Sequence, residues 1–178
     1  NTNGKLYFCS TANVFDNDPY RPHYEDDRTS AESEYGKFKI RCEEELGKIL
    51  INNLCILRLP MIWCKKSPRL NNLLEKLDTN QKIEAYTNLY INNNTDKKLA
   101  KQIHYIMRNN LKGIFHLGTY DMVRHYDFIS QIIKGFGYKN IKIKEALLPY
   151  EEYYLAVMTK RVELPNKLRF SNEELIKD

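Results

Sequence analysis

The chain has 178 residues, 42% hydrophobic and 29% charged, ordinary for a soluble globular protein and enough for one domain with a proper core. Its net charge of +5 comes from lysines spread along the sequence, which argues against a nucleic-acid partner, and no apolar run approaches the length of a membrane span, so no membrane partner is expected. The four cysteines, Cys9, Cys42, Cys55 and Cys64, contain no CxxC pair, so free thiols in a reducing, cytoplasmic setting are expected, without disulfides or a metal.

In chain order, Leu6–Cys9 reads as a short buried strand that ends at Ser10 and Thr11. In open α/β sheets, ligands sit at the carboxyl ends of such strands. Residues 16–33 are polar and turn-rich, with Pro19, Pro22 and the acids Asp16, Asp18, Glu25, Asp26 and Asp27. Lacking regular ligand spacing, this segment reads as a solvated loop and not a metal site. Ser33 can cap the next helix, which carries Tyr35, Lys39, Cys42, Leu46 and Ile49 on related faces. Glu43, Glu44 and Glu45 are expected to face solvent. Tyr35 and Lys39 lie four apart and so share one face. A free phenol is a poor base but a usable acid at neutral pH, and a cation one turn away favours its ionised form. With a hydroxyl at the strand end, the pair suits proton transfer to or from a carbonyl oxygen.

Asn52-Asn53 breaks the helix, and residues 54–59 form an apolar run containing Arg58, as in a buried parallel strand. A charge there needs a partner or a ligand; a structural ion pair and a place on an active-site floor are both open. Pro60 ends the strand. Ser67-Pro68 opens a helix over 69–77, Lys82–Tyr86 reads as a strand, and the Asn-rich stretch 88–95 as a loop. Thr95-Asp96 starts a helix whose inward positions are Leu99, Ile103, Ile106 and Met107, with His104 beside that stripe in a packing or surface role. Gly113–Leu117 is another buried strand, with His116 read as structural. Residues 126–136 form an amphipathic helix ended by glycines, and residues 141–144 alternate like an edge strand. The tyrosines of 149–154 suit core filling or sugar packing. A short helix over 171–177 closes the chain.

Ser10-Thr11, Val14-Phe15-Asp16, Tyr35-Gly-Lys-Phe-Lys39, Leu57-Arg-Leu-Pro60, Gly113–Leu117 and Tyr126-Asp-Phe128 occur in an order that resembles the extended short-chain dehydrogenase/reductases. Within these the chain is most similar to dTDP-4-dehydrorhamnose reductases and related sugar-nucleotide reductases, with epimerases, dehydratases and a non-catalytic sugar-nucleotide-binding subunit as the alternatives. The resemblance implies an α/β fold: the C-terminal portion of a Rossmann-like parallel sheet with helices, plus a small α+β substrate-binding subdomain. Residues 1–66 and 111–137 are expected in the former, and 67–110 and 138–178 in the latter. No GxGxxG turn occurs among the seven glycines, so the glycine-loop half is expected to be absent and to be supplied by a missing N-terminal segment of the same polypeptide. Strands near Leu6 and Cys55 are expected to have open edges.

The resemblance further implies NAD or NADP as cofactor, a nucleotide-sugar substrate, and a possible homodimer. Thr11, Tyr35 and Lys39 are the implied catalytic set. Ser10, Tyr35, Lys39 and Pro60 are the implied cofactor contacts, and Asn13, Val14, Phe15 and Arg161 the implied substrate contacts. Alone, the chain is expected to be inactive.

Overall fold

Apolar runs of four to six residues alternate with capped helical segments, and this sets the element order of the computed structural model, which describes residues 4–177. Strand Leu6–Thr11 (β1) runs into a 3-10 turn, Ala12–Phe15, and a long loop precedes helix Glu34–Ile49 (α1). Strands Leu54–Leu59 (β2) and Met61–Trp63 (β3) lead to helix Pro68–Asp78 (α2). Strands Ile83–Tyr86 (β4), Leu89–Ile91 (β5) and Asn93–Thr95 (β6) come before helix Asp96–Arg108 (α3). Gly113–His116 (β7), Val123–Arg124 (β8), helix His125–Gly135 (α4), Ile143–Ala146 (β9), Tyr153–Leu155 (β10) and helix Asn172–Ile176 (α5) complete it.

The helix starts follow from hydroxyl caps: Ser33, Ser67, Thr95 and Ser171 each accept a backbone N–H of the first turn. Past the ends of α2 and α3, Asn80 and Asn110 take φ of 52° and 53°, and Gly137 takes 84° past α4. Asparagine and glycine tolerate this left-handed region at low cost.

β1, β2 and β7 form a parallel sheet in the order β1-β2-β7, with Ser10, Arg58 and His116 on one rung. One face of it is covered by α3: Cys55, Leu57, Phe115 and Leu117 pack with Leu99, Ile106, Leu164 and Leu168. A second core gathers Trp63, α2, Ile83, Ala85, Leu89, Ile91 and α4, beside the parallel pair β4–β9 and the three-stranded set β10-β5-β8. Core packing therefore sets α3 with the parallel sheet and α4 with the second core.

Other differences have local causes. β2 is the central strand, bonded on both sides, so only β1 of the two expected open edges lies at an edge among the described residues. Cys9 sits on that edge strand and is exposed. The asparagine run is no loop: Asn92, Asn93 and Asn94 are buried in and beside β6. Asn92 donates to Thr119 O and Val157 O and accepts from Val157 N–H. Asn93 joins Trp63 Nε1 to Asn172, while Asn94 bonds Gln102 and Leu117 O. Each amide is satisfied, so burial costs little. Gln102, not Met107, is the third inward residue of α3, and Met107 is exposed. His104 is exposed. The edge strand expected at 141–144 is β9, two residues later, pairing with β4.

Candidate active site

At the carboxyl end of β1, Thr11 caps the 3-10 turn: its Oγ1 accepts from Asn13 N–H at 3.2 Å and donates to Asn13 Oδ1 at 3.1 Å. The turn is pressed against the start of α1. A Cβ on Gly36 would fall far inside van der Waals contact with Asn13's carbonyl oxygen and 2.7 Å from Ala31 Cβ, so only glycine allows this approach. Asp16 fastens the same corner, accepting from Glu32 N–H at 2.6 Å and from the Ser33 hydroxyl. Tyr35, beside Gly36, is thereby carried next to the Thr11 turn with its side chain 55% exposed.

Lys39 follows one turn later. Its ammonium donates to Cys9 O at 2.9 Å, lies 4.7 Å from the Phe8 ring centroid and 5.9 Å from that of Tyr35. Lys37 points away and pairs with Glu34. Ser10 is 4% exposed, and its Oγ has no hydrogen-bond partner among the described residues.

Glu43 extends the Tyr35–Lys39 stripe by one more turn, and it is buried, against the expectation that it faces solvent. Arg58 explains this. Its guanidinium makes bonds of 3.2 and 2.7 Å to the Glu43 carboxylate and lies 5.0 Å from the Phe15 ring centroid. The His116 imidazole is 3.4 Å away through Nε2, while Nδ1 lies 2.8 Å from Met158 O. A carbonyl only accepts, so Nδ1 carries the proton and Nε2 accepts from Arg58. Burial, opposed by Glu25 and reinforced by Arg58, pushes the His116 pKa down to about 4. Sequence reading missed Glu43; the signal was an arginine inside an apolar strand, which calls for a buried carboxylate.

Phe15 also stacks on His23 at 4.2 Å, and Val14 is fully buried beside Val157. Both were expected to touch substrate. The 3-10 turn buries both side chains. Arg161 donates to Lys112 O and Ile114 O at the amino end of β7 and pairs with Glu163. Pro60 is buried between β2 and β3.

The 16–33 loop is more than a solvated segment. Asp27 binds Arg21 and His23, and Glu25 accepts from Thr159 Oγ1, Lys160 N–H and His116 N–H. Among the described residues no acidic or histidine cluster has metal-binding geometry, and no helix is long and apolar enough to cross a membrane.

A protein-family profile described as the RmlD substrate binding domain matches residues 1–165. Among solved structures, dTDP-4-dehydrorhamnose reductase from Yersinia enterocolitica superposes with a TM-score of 0.83 at 17% identity, over 97% of this chain and 65% of that one. The same enzyme from Bacillus anthracis, solved with NADP, gives 0.81 at 18%, over 97% and 63%. UDP-N-acetylglucosamine 4-epimerase from Methanobrevibacter ruminantium gives 0.74 at 16%, over 97% and 61%. The chain thus spans less than two thirds of each, and the α/β, Rossmann-like fold is shared with all three. No curated protein matches the sequence significantly.

Proposed function

Because the chain belongs to the RmlD substrate-binding domain family, we propose that it forms the proton-transferring, substrate-facing part of an NAD(P)-dependent reductase acting on a 4-keto-deoxysugar nucleotide. What supports the reading is the close approach of Gly36 to Asn13, which sets the start of α1, where Tyr35 stands, against the turn that Thr11 caps.

In this reading Tyr35 protonates the oxygen of the sugar keto carbon as that oxygen gains negative charge. Thr11 swings its hydroxyl from Asn13 to the same oxygen and stabilises the charge by a hydrogen bond. Lys39 steadies the phenolate left on Tyr35 and is near enough to reach a ribose. Asn13, half-buried and hydrogen-bonded to the Thr11 hydroxyl, orients Thr11 and would face the sugar. A reduced nicotinamide, NADH or NADPH, would supply the hydride when bound. The unpartnered Ser10 hydroxyl and Lys39 suit its ribose–nicotinamide end, with Pro60 shaping the wall. No GxGxxG turn occurs in these 178 residues, so these residues supply no glycine turn for the pyrophosphate.

The test is turnover by the complete reading frame, followed as loss of NAD(P)H absorbance with dTDP- and UDP-linked 4-keto sugars. Tyr35→Phe is expected to lose roughly 10²–10⁴-fold in turnover while binding the sugar nucleotide as before. Equal turnover by both proteins would remove Tyr35 from the mechanism. Isolation of a C4-inverted sugar with no net NAD(P)H consumption would make the enzyme an epimerase instead.

A further inference from the structure

A cleft of about 520 Å³ opens between the start of α2, the first turn of α3, the carboxyl end of α4 and α5. No residue of β1, the 3-10 turn or α1 lines it. Its wall is apolar and aromatic: Trp63, Leu70, Phe128, Ile132, Phe136 and Leu175. Around the opening stand Lys65, Lys66, Lys97 and Lys177. Lys177 is paired with Glu173, but Lys65, Lys66 and Lys97 take part in no ion pair among the described residues. Asp96, the one carboxylate residue lining the cleft among the described residues, accepts from the amide N–H of Lys97 at 2.9 Å. The lining therefore combines a greasy interior with a positive mouth.

We propose that this cleft binds a small amphipathic anion, a compact ring or short apolar body ending in one phosphate, sulfonate or carboxylate group. The volume falls in the range of small-molecule sites and is too confined for a folded partner. An apolar body displaces water from the aromatic wall, and unpaired ammonium groups at the mouth favour a negative head. A neutral hydrophobe would leave the lysines unused, and a bare inorganic anion would leave the wall unused. The inference takes nothing from the proposed reduction, because the two sets of residues do not overlap.

Trp63 is the only tryptophan of the chain, so its fluorescence reports on the cleft directly. The experiment titrates the protein with anilinonaphthalene sulfonate and reads Trp63 quenching, with inorganic phosphate as a second probe. Saturable, salt-sensitive quenching at one site is expected, with phosphate neither quenching nor displacing the dye. Gly135 lines the cleft, and a Cβ there meets nothing within 4 Å. Gly135→Leu should therefore fold normally, shown by an unchanged urea midpoint, and abolish the saturable quenching. The double change Lys65→Glu and Lys66→Glu should weaken binding by about tenfold, the effect of reversing two exposed charges. Absence of saturable quenching overturns the proposal. So does quenching indifferent to Gly135→Leu or to charge reversal, or displacement of the dye by phosphate.

Discussion

Arg58 and Glu43 meet between the parallel sheet and α1 with Nη2 and Oε2 2.7 Å apart, both side chains less than a tenth exposed. This pair ties the helix that carries Tyr35 and Lys39 to the central strand of the sheet. Two buried charges repay their desolvation only while both are present. Glu43→Ala is expected to destabilise the fold by about 3–5 kcal/mol, since it leaves a buried guanidinium without its carboxylate. Replacing both partners, Glu43→Leu with Arg58→Met, should recover most of that loss. Urea denaturation of the three variants decides it; equal stability of Glu43→Ala and the parent would show that water reaches Arg58.

At Gly36 the expected change is steric. Gly36→Ala gains helix propensity of about 1 kcal/mol, but its methyl meets a backbone carbonyl and another Cβ, neither able to yield as a flexible side chain would. A net loss of about 1–3 kcal/mol follows, as for other overpacked sites. Turnover in the complete reading frame should fall as well, because α1 must shift away from Thr11. A variant with full activity and unchanged stability would mean that the 3-10 turn moves freely.

Acid should weaken the fold through two histidines. Burial pushes both His116 and His125 down to about 4 from 6.5, with Arg58 adding to the effect at His116 and Arg69 at His125. The unfolded chain takes up these protons as pH falls through about 6.5, whereas the folded chain resists until about 4. Stability is therefore complete above the upper value and drains away between the two. His116→Gln should flatten the fall of melting temperature across that window; an equally steep fall would assign the effect to other groups.

The buried amides make a further prediction. Asn92→Leu removes the partner of Val157 N–H, Val157 O and Thr119 O at once. A loss of about 3 kcal/mol is expected for orphaning such groups, read as a lower urea midpoint. An unaffected midpoint would mean that those groups find water or one another.

The thiols should separate by accessibility. Cys9 is exposed on the edge strand, whereas burial raises the Cys55 thiol to about 11 despite the opposing charges of Lys5 and Arg161. An aromatic disulfide reagent should modify Cys9 in native protein and reach Cys55 only after unfolding. Prompt native reaction at Cys55 would contradict the central position of β2.

Much of the architecture was legible because it is written locally. Hydroxyl caps at Ser33, Ser67, Thr95 and Ser171 announced helix starts, and the run 54–59 announced a buried strand. The Tyr35–Lys39 spacing was also local. What escaped depends on partners distant in sequence. Glu43 sits in a run of three acids, and nothing local separates it from Glu44 and Glu45; only Arg58, 15 residues on, draws it inside. Asn92–Asn94 read as a loop because polarity is the local signal, whereas their hydrogen-bond partners come from as far as Val157 and Asn172. The partners of Arg161 were not legible either: two carbonyls near the start of β7, 47 and 49 residues back, come to it only through the fold.

Glu25 bonds to Thr159 and Lys160 across 134 and 135 positions of sequence. Contacts of such long range close late in folding, because the intervening chain must first be ordered. On the ribosome, the 16–33 loop cannot reach this anchor until residue 160 has been synthesised. The loop beside the phenol is therefore pinned by residues far along the chain, and a transcript stopped near residue 150 should yield a chain that keeps Tyr35 and lacks the partners of Glu25 at 159 and 160.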